Sequence, residues 1–269
     1  NVTNMALDAL FVLVLGLGVA GVAWGTFIAE CVAAVLGLAI AVRHLSRLAG
    51  RWQRSRLFER VAMARTLAVN RDILIRSAAL IAVFAWFVSN GARQGEVVLA
   101  ANAVLMHFIT VSAYFLDGLA FAAEALVGRA IGARDRAALL RTMHLTTVWA
   151  VAVAALASAL LLAAGPWLID LFTVDTLTRE SARRYLTWAA LAPLAGVWAF
   201  QLDGIFIGAT RTREMRNAML LSLAIFLAGW WLLQDLGNHG LWAALYVHYA
   251  ARTATLLSFL PRLVRLPAS

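Results

Sequence analysis

From Val2 to Val42 the chain carries only two charged side chains, Asp8 and Glu30. A single helix over that run would be about 60 Å long, twice the ~30 Å thickness of a bilayer's hydrocarbon core. Gly16, Gly18 and Gly21 crowd its middle, and glycine lets a chain reverse without steric penalty. The run therefore reads as two membrane spans, 2–16 and 20–42, joined by a tight turn. Composition agrees. Hydrophobic residues make up 63% of the chain and charged residues 14%, against roughly half and a quarter in a typical soluble domain.

Further apolar runs predict spans at 73–90, 97–125, 142–164, 185–208, 217–233 and 241–260. The expected fold class is thus an all-α integral membrane protein with eight transmembrane helices. The 97–125 run is longer than one crossing needs, so its end is expected to project beyond the bilayer. GARQG at 91–95 and GPW at 165–167 are expected to separate consecutive spans. Residues 43–71 differ: they are Arg-rich, with Leu45, Leu48, Trp52, Leu57, Val61 and Leu67 at helical spacing. That pattern predicts an amphipathic segment lying along the membrane surface. With no basic leader region or small-residue cleavage site near Asn1, the numbering is expected to begin inside a longer chain. The single cysteine, Cys31, lies in an apolar stretch and reads as a small core residue.

The net charge of +9 comes entirely from arginine. Most of it falls at 43–71, 129–141, 211–216 and 262–265, between apolar runs. Membrane topology produces that distribution, and nucleic-acid binding does not require it. By the positive-inside rule these segments, and the C-terminus, are cytoplasmic. An internal echo accompanies the pattern. Asn4 opens a run that ends in the turn Leu17-Gly18-Val19-Ala20-Gly21, and Asn217 opens one that ends in Leu236-Gly237-Asn238-His239-Gly240. Duplicated halves are common among secondary transporters. Leu221 stands where the first copy has Asp8, so the acidic position belongs to one copy.

Ionisable residues inside membrane runs are costly and mark functional candidates. Asn4 and Asp8 are one helical turn apart and share a face. Thr26 on the following antiparallel span supplies a hydroxyl, completing an oxygen set suited to a hard monovalent cation or a shuttled proton. Secondary candidates each have a structural alternative. Glu30 is open to satisfaction by a neighbouring helix. Asp117 and Glu124 share a face near the cytoplasmic end of their span, within snorkelling reach of Arg129 or Arg134. Asp203 is as well suited to a gating or capping contact as to binding. His107, His248 and Arg252 complete the set, the histidines reading as packing residues. No His/Cys metal spacing, phosphate-binding loop or nucleophile elbow occurs, so neither an ATP-driven pump nor an enzyme is expected.

Two longer stretches carry a family likeness: LDGLAFAAEALVGRAIGA at 116–133 and LDGIFIGATRTREMRNAML at 202–220. With the NVTNMALD opening and the Gly-x-x-Gly hairpin, they resemble the multidrug and toxic compound extrusion (MATE) transporters, most closely the branch named after DNA-damage-inducible protein F. The resemblance implies twelve helices in two six-helix lobes. Residues 1–42 would then be the last two helices of the first lobe, 43–71 the interlobe linker, and 72–269 a complete second lobe. The family's first-lobe cation site also uses an Asp on a first helix that this sequence does not contain. Asn4, Asp8 and Thr26 match its remaining ligands. Implied, then, is H⁺- or Na⁺-coupled antiport of amphipathic or cationic small molecules by alternating access. The transporter would be a monomer without a resident cofactor, in contact with lipid in the inner (plasma) membrane. A lipid-linked glycan flippase of the same superfamily would need a strongly cationic central cavity, and a membrane scaffold would need no oxygen cluster.

Overall fold

The structure is a computed structural model that describes residues 2–47 and 58–264. It divides into two compact units, Asn1–Arg60 and Val61–Ser269, taken in turn below. Among the described residues there are eight α-helices and no strand.

In the first unit, α1 (Val2–Asp8) widens into a π-helical stretch, Ala9–Val14, before α2 (Gly18–Leu45). The turn between them needs a left-handed backbone twice, at Gly16 (φ +64°) and Gly18 (φ +52°). That conformation explains why the glycines stand there. Val2–Val14 is apolar but shorter than a bilayer crossing, whereas α2 is long enough. The expected first span over 2–16 is therefore only partly formed. Cys31 is exposed on α2 rather than a core residue.

The second unit runs α3 (Arg60–Arg93), α4 (Glu96–Gly132), α5 (Arg136–Phe172), α6 (Thr176–Gly208), α7 (Thr212–Leu233) and α8 (Asn238–Val264). Turns of only a few residues join these helices. Asp135 caps α5 by accepting from Ala138 N–H at 2.9 Å, and Asp175 caps α6 by accepting from Thr178 N–H at 2.8 Å. Among the described residues, six helices, against the eight spans expected, are long and apolar enough to cross a membrane: α2 to α6, and α7 with the 3₁₀ turn Gln234–Leu236 that follows it. The Arg-rich stretch 43–71 is split. Its middle, 48–57, lies outside the described residues, and its last part forms the first turns of α3. Pro166 does not end a span, because α5 continues through it to Phe172. A proline removes one backbone donor and crowds the preceding turn, which helices inside a membrane bundle tolerate.

Three apolar clusters hold the second unit together, a small one around Leu116, Ala154 and Val197 and two larger ones. One of the larger two joins α3, α4, α5, α6, α7 and α8 around Phe87, Leu105, Leu245 and Trp242. The Phe87 and Trp242 rings meet edge to face at 5.0 Å. The other gathers Val127, Leu139, Phe206, Met215 and Leu256. The backbones of α4 and α6 come into direct contact. A Cβ at Gly204 would overlap the carbonyl of Ala120, and one at Gly208 would overlap that of Glu124. This small-xxx-small spacing lets two backbones touch, as packing within a lipid solvent favours. Outward-facing Trp149, Leu160, Trp167 and Leu171 are exposed, the surface expected of helices solvated by lipid tails.

Candidate functional site

The first unit brings Asn4, Asp8 and Thr26 together. The Asn4 amide orientation follows from its neighbours. Its nitrogen donates to Asp8 Oδ2 at 3.1 Å, and its oxygen accepts from the Thr26 backbone N–H and hydroxyl at 3.2 Å. Asp8 Oδ1 lies against α2 at Gly25, where a Cβ would occupy its place. That oxygen is buried and has no hydrogen-bond partner. A buried carboxylate oxygen left unpaired is costly, so the site has acceptor capacity for a proton or a small cation. Glu30, by contrast, is exposed on α2.

The second unit holds a cavity of about 400 Å³. Asp117 and Glu124 from α4, Asp203 from α6, Arg76 from α3 and Arg252 from α8 all line it, beside the aromatic rings of Phe84, Tyr114 and Phe200. Asp203 is buried, and its Oδ2 accepts from both Arg76 and Arg252. Arg252 is 3% exposed. Asp117 lies within Coulombic reach of both guanidiniums, and neither it nor Glu124 pairs with Arg129 or Arg134 among the described residues. The three acidic candidates of the second unit thus converge on one cavity, with Asp203 neutralised inside it. One helical turn from Arg76, Asp72 is buried, and its Oδ1 accepts from Arg216 Nη1 at 2.6 Å.

His248 is fully buried and His107 is exposed, stacked on Phe172 at 5.8 Å. The echo of the first hairpin does not build a second oxygen site. Asn217 accepts from Arg216 instead, and Leu221 is exposed. Sequence reasoning overlooked Arg76 and the amide pair Asn102–Asn238. That pair is reciprocal, at 2.7 and 2.9 Å, with Trp242 Nε1 donating to Asn102 at 3.1 Å. An arginine inside the apolar stretch Leu74–Phe84 was the visible signal for Arg76. Neutral amides give no comparable signal. No group of three or more His, Cys, Asp or Glu side chains able to hold a metal ion occurs among the described residues.

The family model described as MatE matches residues 73–232. DNA damage-inducible protein F of Escherichia coli (strain K12) is 42% identical over 95% of this chain, and the chain spans 56% of that relative's length. A crystal structure of MATE in complex with MaD5 superposes with a TM-score of 0.83 at 17% identity, covering 97% of this chain and 59% of that one. The outward-facing conformation of a multidrug resistance MATE family transporter of the MOP superfamily superposes at 0.73 with 18% identity, covering 97% and 60%. At such identities the likeness speaks for the fold alone. Together with the helices long enough to cross a membrane, the family match over 73–232 and the 42% identical relative place this multi-pass membrane protein in the MATE family.

Proposed function

We propose that the chain is part of a secondary transporter that exports amphipathic or cationic small molecules in exchange for H⁺ or Na⁺. The observation that carries this reading is the Asn4–Asp8–Thr26 oxygen cluster, with Asp8 Oδ1 buried and unpaired. Coupling requires that the ion and the exported molecule favour different conformations. A carboxylate with free acceptor capacity binds the ion in one state and releases it in the other. The cavity of the second unit supports a role in holding an organic guest, since aromatic walls surround a few charged groups. Residues 1–42 would close a first lobe and 72–269 form a second, with the Arg-rich segments and the C-terminus in the cytoplasm and the chain in the inner (plasma) membrane as a monomer. Three carboxylates face two guanidiniums in that cavity, which does not favour the strongly cationic wall a glycan flippase would use.

Asp8→Asn in the parent transporter tests the reading. The substitution keeps size and hydrogen bonding but removes the titratable charge, and it relieves a costly buried oxygen rather than stranding a partner. Gradient-driven efflux of a cationic dye from vesicles is expected to vanish while membrane yield stays near normal. Full efflux from well-folded Asp8→Asn protein would remove Asp8 from coupling.

A further inference from the structure

The ends of α3 and α7 form a second recess that the transport reading does not use. Trp86 and Arg93 come from the end of α3, Gln94 from the turn that follows it, Trp230 and Trp231 from the end of α7, and Asp235 from the 3₁₀ turn after that helix. They line a groove of about 630 Å³. Both helices are apolar enough to cross a membrane, so this groove lies where the bilayer meets water, at the end away from the Arg-rich turns between α4 and α5 and between α6 and α7. An interfacial belt of aromatic residues is common at that level and by itself means little.

The groove contains more than a belt. Arg93 and Asp235 are both exposed and take part in no ion pair among the described residues. The wall thus offers one positive and one negative charge, the complement of a zwitterion. The groove sits at the C-terminal ends of α3 and α7, and helix C-termini carry negative partial charge that favours a cation. Indole faces add attraction for an ammonium group. Gln94 adds an amide nitrogen without a hydrogen-bond partner. We propose that this groove holds the headgroup of one zwitterionic, primary-amine phospholipid, with its phosphate on Arg93 and its ammonium between Asp235 and the indoles. The acyl chains would run down the apolar faces of α3 and α7. An anionic glycerol headgroup offers Asp235 only neutral hydroxyl donors and no positive charge, so the groove favours the ethanolamine lipid.

Native mass spectrometry of the purified chain tests this, in detergent containing equal amounts of a phosphatidylethanolamine and a phosphatidylglycerol with the same acyl chains. One ethanolamine lipid is expected to be retained with about a tenfold preference, the size of one charge-assisted hydrogen bond. Asp235→Asn should abolish the preference, Asp235→Glu should keep it, and Arg93→Gln should weaken retention of both lipids. Circular dichroism, unchanged across these exposed-site variants, accompanies each measurement. Equal retention of the two lipids, or a preference that survives Asp235→Asn, would overturn the proposal and leave an aromatic belt only. So would loss of the preference in well-folded Asp235→Glu. Soluble glycerophosphoethanolamine is the last arm. If it displaces the lipid at equal concentration, the acyl chains contribute nothing and the lipid assignment fails.

Discussion

Asp8 and Asp203 are both carboxylates on apolar helices, and their surroundings separate their roles. Asp8 keeps one oxygen without a partner, whereas Asp203 is shared by two guanidiniums. Removing the charge therefore acts in opposite directions at the two positions. Asp203→Asn takes from Arg76 and Arg252 the one carboxylate bonded to both, and breaking a buried ion pair costs about 3–5 kcal/mol. Poor membrane yield and a clearly lowered melting temperature in detergent are expected, and wild-type stability would show that the triad does not hold the second unit. A third carboxylate, Asp175, responds to pH. Hydrogen bonds from Thr178, through its side chain and its backbone, hold its carboxyl below the ordinary value. Because the folded value is depressed, the cap's stabilisation is complete above the unfolded value of ~4 and is lost as pH falls through the folded one. Amide protection over Thr176–Arg179, corrected for the intrinsic exchange rate at each pH, should therefore fall in acid, and Asp175→Asn, which still caps, should flatten that dependence. The oxygen cluster was legible beforehand because its members are spaced by helical turns within one hairpin. The partners of Asp203 were not, since Arg76 and Arg252 lie far from it in sequence and only tertiary packing joins them.

At the scale of elements, apolar runs marked every long helix, but punctuation misplaced some ends. Gly165-Pro166 suggested a break, and α5 runs through it. Proline is a weak stop signal where neighbouring helices and lipid leave the backbone no better partner. The actual terminus is set further on, where Thr173 leaves helical geometry and Asp175 caps the next helix. The glycines of α6 carried a different meaning from those of the turns. Gly204 and Gly208 stand mid-helix or at its end with ordinary backbone angles, and their function is contact with α4. Gly204→Val places side-chain atoms where the Ala120 carbonyl now lies, and neither backbone can yield cheaply. Overpacking of this kind costs about 1–3 kcal/mol, and more when backbone must move. The expected result is a lower melting temperature, whereas Gly118→Ala, which meets nothing within 4 Å, should leave it unchanged.

For the molecule as a whole, the arginine distribution makes a prediction that helix geometry alone does not. Residues 43–47 and the turns 133–135 and 209–211 should all face the cytoplasm, and Gln94–Gly95 and 173–175 the opposite side. Single cysteines introduced at Arg134 and Gln94, with Cys31 replaced, should be labelled by impermeant maleimide from opposite faces of the membrane. Labelling of both from one face would undo the orientation. The closeness of α4 and α6 bears on how the second unit can change shape. Where two backbones touch without side chains between them, there are no rotamers to readjust, so the pair behaves as a single stiff beam. Any breathing of the cavity must then be taken up by its other walls, α3 and α8, whose arginines reach Asp203 through long, jointed side chains. Those two side chains act as tethers of adjustable length, and the beam is the fixed frame against which they pull.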